Sequence, residues 1–125
     1  MLNRLLDSVI LIDHFNNIPK ATAFILSLKP EQTSISVITR AEILVGIADE
    51  DKDKVLSFLD QYAILPIDKE IADIAADLRQ KHGWKLPDAF QSAIAVHYHI
   101  KLCTRNTKDF NPRKHLFIEI PYKVT

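Results

Sequence analysis

The stretch LPDAFQSAIAVHYHIKLCTRNTKDF, Leu86 to Phe110, decides the fold. Pro87 and Asp88 open a helix, because the fixed φ of proline suits a first turn and a carboxylate is favoured near the unpaired N–H groups there. That helix is expected to run to about His99. Ile100 to Thr104 then reads as a short buried strand, and Asp109 follows it.

The same alternation extends outward in both directions. Leu5-Leu6-Asp7 reads as a strand feeding a helix from Ser8, and Pro19 to Leu28 reads as a helix. Thr33 to Ile38, rich in Ser, Ile and Val, is a strand followed by helices over Thr39 to Ala48 and Asp51 to Tyr62. Ala63 to Ile67 is a short strand. Asp68 to His82 is a periodic helix with Ile71, Ile74, Ala75 and Leu78 on one face, stopped by Gly83. Leu116 to Ile120 is the last strand, ended by Pro121. Alternation of this kind predicts a parallel sheet covered by helices.

At 125 residues the chain fits one domain, residues 1–125, large enough to bury a core without staples. Its formal net charge of zero gives no support to a broad basic surface for phosphate, but is compatible with a local site where metal ions carry the positive charge. The one cysteine, Cys103, lies in an apolar stretch and is expected to be a buried structural thiol. With no intrachain disulfide possible, a reducing, cytoplasmic setting is expected. No apolar run reaches the ~18 residues of a membrane span. The Arg4 to Ile12 stretch contains Asp7 and lacks a small-residue cleavage site, so no signal peptide is expected.

Four acids share a local context. Asp7 ends a strand where a helix begins, Glu42 sits early in the helix after the second strand, Asp88 opens its helix, and Asp109 follows the fourth strand. Singly, each has an ordinary explanation as helix-terminus chemistry, and Thr39-x-x-Glu42 matches a capping box. Jointly they differ, since the carboxyl ends of strands in an open α/β sheet face one crevice. Converging carboxylates repel one another unless a cation sits among them. Oxygen donors without Cys or His suit Mg2+ or Mn2+, and two such ions ~4 Å apart can hold the attacking and leaving oxygens of a phosphodiester. Arg40, Arg105, Lys108 and Arg113 lie near the expected crevice as candidate RNA-phosphate contacts or as ordinary surface charge. Asp68 passes the same local test and is read as a helix cap. Asp13 is left between an outer ligand and a surface residue. The histidines show no zinc-ligand spacing: His97 and His99 point to different helix faces.

Leu6-Asp7-Ser8, Ser36 to Ile43 with Gly46, Leu86-Pro87-Asp88-Ala89 with Ala93 and Ala95, and Thr104 to Phe110 together resemble the PIN domains, specifically the VapC ribonuclease toxins of type II toxin–antitoxin modules. The resemblance spans Leu6 to Phe110. It implies a three-layer α/β/α sandwich around a five-stranded parallel sheet of order 3-2-1-4-5, and a metal-dependent endoribonuclease cutting single-stranded RNA. The family's acidic positions map onto Asp7, Glu42 and Asp88. For the fourth, some relatives carry Asp where this chain has Asn106, and others use the acid three residues later, here Asp109. Ser8, Thr39, Thr104 and Asn106 are then polar supports around the Mg2+ or Mn2+ site. The resemblance also implies a homodimer and a cognate antitoxin that pushes a basic side chain among the carboxylates. The competing readings are a non-catalytic PIN-like module that binds RNA or protein, and an aspartyl-nucleophile phosphatase, which Val9 disfavours by occupying the place of a second Asp.

Overall fold

The computed structural model describes residues 1–124. Five strands form one sheet: β1 (Arg4–Leu6), β2 (Thr33–Ser36), β3 (Ala63–Leu65), β4 (Lys101–Cys103) and β5 (Ile118–Glu119). They lie in the order β3-β2-β1-β4-β5 and every pairing is parallel, as the resemblance implied. Six helices cover it: α1 (Ser8–Phe15), α2 (Pro19–Leu26), α3 (Val37–Val45), α4 (Lys52–Leu59), α5 (Lys69–His82) and α6 (Leu86–Tyr98).

Alternation along the central strands sorts side chains into two cores. Leu5 and Leu102 join Ile71, Ala75, Trp84, Ala89 and Ala93 under α5 and α6. Leu6 and Cys103 join Ile10, Ile25, Ile35, Ile43 and Leu59 on the other face, under α1 to α4. Cys103 is fully buried, as expected, and burial pushes its thiol upward.

The expected elements are all present, with shifted ends. The second strand stops at Ser36 rather than Ile38, because the Ser36 hydroxyl accepts from the Thr39 N–H at 3.1 Å and starts α3 at Val37. Ser36, not Thr39, is therefore the cap, and Glu42 lies in the second turn of α3, away from any capping box. Asp49–Asp51 form a 3-10 turn, so the following helix begins at Lys52 instead of Asp51. Asp68 caps α5 by accepting from the Ile71 N–H at 2.9 Å, and Gly83 ends it at φ 69°. The last strand shrinks to Ile118–Glu119. No helix among the described residues is long and apolar enough to cross a membrane.

Candidate active site

Each acid owes its place to a chain turn at the carboxyl end of the sheet. Asp7 is the residue after β1 and the N-cap of α1; its Oδ1 accepts from the Ser8 N–H at 2.9 Å. It is only 8% exposed and has two further donors: the Thr104 hydroxyl at 2.8 Å on Oδ2, and the Gln91 amide at 3.3 Å on Oδ1. Thr104 follows β4, the strand beside β1, and also accepts from the Asn106 N–H at 3.1 Å. Glu42 enters from α3, and Asp88 from the first turn of α6.

These side chains line one cleft of about 440 Å³, with Ser8, Gln91, Arg105, Asn106 and Lys108 in its wall. Its electrostatics are those of crowded carboxylates. Burial pushes the Asp88 carboxyl up to about 6, and the charges of Asp7, Asp109 and Glu42 push in the same direction against Lys85. Glu42 is also raised, first by burial and then by Asp7, with a Ser8 hydrogen bond acting the other way. Among the described residues, no three Asp, Glu, His or Cys side chains stand close enough together to hold one metal ion. The donors nevertheless suit a hard divalent cation: they are oxygen atoms, they repel one another, and the buried Gln91 Oε1 has no partner.

The other expected residues divide clearly. Asn106 lines the cleft, while Asp109 stands behind it, its Oδ2 accepting from the Asn106 amide at 3.0 Å. Thr39 is buried and receives the Gln91 amide at 2.7 Å. Arg105 and Lys108 are in the cleft wall. Arg40 and Arg113 do not line it: Arg40 pairs with Asp60 at 2.7 Å, and the Arg113 N–H donates to Asn111.

Two features escaped the sequence. Asp13 is neither a ligand of the cleft nor a surface group. It is 5% exposed and grips Arg105 through two bonds of 2.5 and 2.9 Å, while the Tyr122 hydroxyl donates to it at 2.7 Å. Arg105 holds the Asp13 carboxyl below the usual carboxylate range, against burial. Gln91 is the second; its signal was a polar residue one helical turn after Asp88, inside an otherwise alanine-rich apolar run.

Comparison with known proteins agrees with this geometry. The PIN domain family model matches residues 4–113. A chain of a toxin–antitoxin complex from Klebsiella pneumoniae is 34% identical, with a TM-score of 0.90 over 98% of this chain and 100% of that one. A chain of FitAcB from Neisseria gonorrhoeae is 26% identical, with a TM-score of 0.79 over 97% of this chain and 99% of that one. A chain of DNA-bound VapBC from Salmonella typhimurium, at 19% identity, shares the fold with a TM-score of 0.79 over 95% of this chain and 98% of that one. No curated protein sequence matches the chain. From its sheet order, its acid-lined cleft and the match along 4–113, the chain belongs to the PIN domain family.

Proposed function

We propose that this protein is a metal-dependent endoribonuclease, the toxin of a type II toxin–antitoxin pair, which hydrolyses phosphodiester bonds of single-stranded RNA in the cytoplasm. The observation that carries the reading is that Asp7, Glu42 and Asp88, distant in sequence, line one cleft in which Asp88 is pushed up to about 6 by burial and by its acidic neighbours. Crowding of like charge is costly in a fold that gains nothing from it, and a divalent cation relieves it. The 34% identity to a chain of a toxin–antitoxin complex supports the biological half of the reading, with an antitoxin as partner and a second copy of the chain as a homodimer.

In this reading Asp7, Glu42 and Asp88 hold Mg2+ or Mn2+, with Asn106 beside them and Asp109 acting through the Asn106 amide. When bound, the ion supplies Lewis acidity, which makes water a better nucleophile and offsets charge on the phosphoryl oxygens. The chain does the rest by positioning. The Ser8 N–H and the Thr104 hydroxyl fix both oxygens of Asp7, so that its carboxylate keeps one orientation. Thr39 anchors the Gln91 amide that touches Asp7. Arg105, held rigidly by Asp13, and Lys108 meet the RNA phosphates at the rim of the cleft. No side-chain nucleophile is required.

Incubation of the purified chain with single-stranded RNA in Mg2+ or Mn2+ is expected to give cleavage that EDTA stops. Asp7→Asn should reduce the rate at least about 100-fold, with an unchanged circular dichroism spectrum. Undiminished cleavage by that variant would remove Asp7 from the mechanism and the carrying observation with it.

A further inference from the structure

Gln91 is a side chain that α6 has no structural need to make polar. Its neighbours Ala89, Ala93, Ile94 and Ala95 are fully buried core, and Gln91 itself is only 2% exposed. The amide nitrogen uses both of its hydrogens, one toward Asp7 Oδ1 at 3.3 Å and one toward the Thr39 hydroxyl at 2.7 Å. The orientation is forced, because a flipped amide would set its oxygen against a carboxylate oxygen. The amide oxygen therefore faces elsewhere, and it has no partner although it is buried. Gln91 also belongs to the wall of the acid cleft.

A buried acceptor without a donor is a rare arrangement, and it calls for a donor that arrives from outside the chain. We infer that Gln91 is a positioning residue for the divalent ion: its amide nitrogen fixes Asp7, and its amide oxygen accepts a hydrogen bond from the ion's hydration shell. This rests on the metal-binding reading of the cleft and adds a residue to it. The small exposure of Gln91 selects the donor, since a water molecule reaches such an atom whereas a ribose hydroxyl, carried on a bulky strand, does not. Mg2+ and Mn2+ characteristically keep several waters when bound by few carboxylates, so a protein acceptor for one of those waters adds to affinity without adding charge. A neutral amide has a second advantage over a carboxylate at this place, because it donates to Asp7 rather than repelling it.

The test uses the full chain without substrate. Mn2+ affinity is measured by electron paramagnetic resonance for the wild type, Gln91→Leu and Gln91→Glu, together with the melting temperature of each metal-free protein. Gln91→Leu is expected to weaken Mn2+ about tenfold or more while melting within a few degrees of wild type. Gln91→Glu keeps an acceptor and adds charge, so it should bind Mn2+ at least as tightly as wild type but melt lower without metal, because two carboxylates then face each other. If the wild type takes up Mn2+ and Gln91→Leu matches it, the role of Gln91 is overturned and the metal site stands. If the wild type takes up no Mn2+, the metal reading falls and this inference with it. Should Gln91→Leu fail to fold, Gln91→Glu decides: weaker Mn2+ binding than wild type would overturn the inference.

Discussion

At pH 7 most Asp88 carboxyls are ionised, and burial beside Asp7, Asp109 and Glu42 makes that charge a burden on the fold. The sign follows from the direction of the shift. A carboxyl raised from 3.8 to about 6 by folding is neutral without penalty in acid, and it loses stability as pH climbs through that window. In EDTA, Asp88→Asn should therefore be more stable than wild type at pH 7.5 by about 1 kcal/mol, after allowance for partial exposure. The gap should close toward pH 4, and urea titrations at the two pH values measure it. A variant that loses stability at pH 7.5 would contradict the burden. Asp7, Glu42 and Asp88 were legible in the sequence because each sits beside a strand end or a helix start, where local pattern gives the position. Asp13 and Tyr122 were not, because 109 residues separate them and neither carries a local signature of the other.

Helix ends are where sequence and structure agree best and also where they slip. Asp68 shares with Asp7 the context of a strand before and a helix after, yet β3 is an edge strand and its following turn opens away from the cleft. Its carboxylate is spent on the Ile71 N–H at 2.9 Å. Asp68→Ala should thus cost about 1 kcal/mol of stability and leave the Mn2+-induced rise in melting temperature unchanged. A lost Mn2+ response would make Asp68 part of the site. The slips come from competition between neighbours. Ser36 and Thr39 are both good caps, and the winner was decided by burial of the strand–helix junction, which propensity does not see. The final strand was read as five residues from its apolar run, but only Ile118 and Glu119 pair with β4, since an edge strand has one neighbour to define its length.

For the whole molecule, the parallel order puts β1 between β2 and β4 and wraps it by two cores, while β3 and β5 form the edges. Global unfolding is then the main route by which β1 amides reach solvent, whereas β5 opens locally. Hydrogen exchange should be slowest at Leu5, Leu6 and the β4 residues and fastest at Ile118 and Glu119; a reversed ranking would contradict this division. Sheet order was legible only through family resemblance, since alternation alone gives a parallel sheet without its permutation. The Asp13, Arg105 and Tyr122 cluster has a practical side. It ties the first helix, the loop after β4 and the tail into one knot beside the cleft. A bulky tag fused behind Tyr122 would tug on that knot and loosen Arg105. Purification handles therefore belong ahead of Met1, which protrudes fully into water three residues before β1.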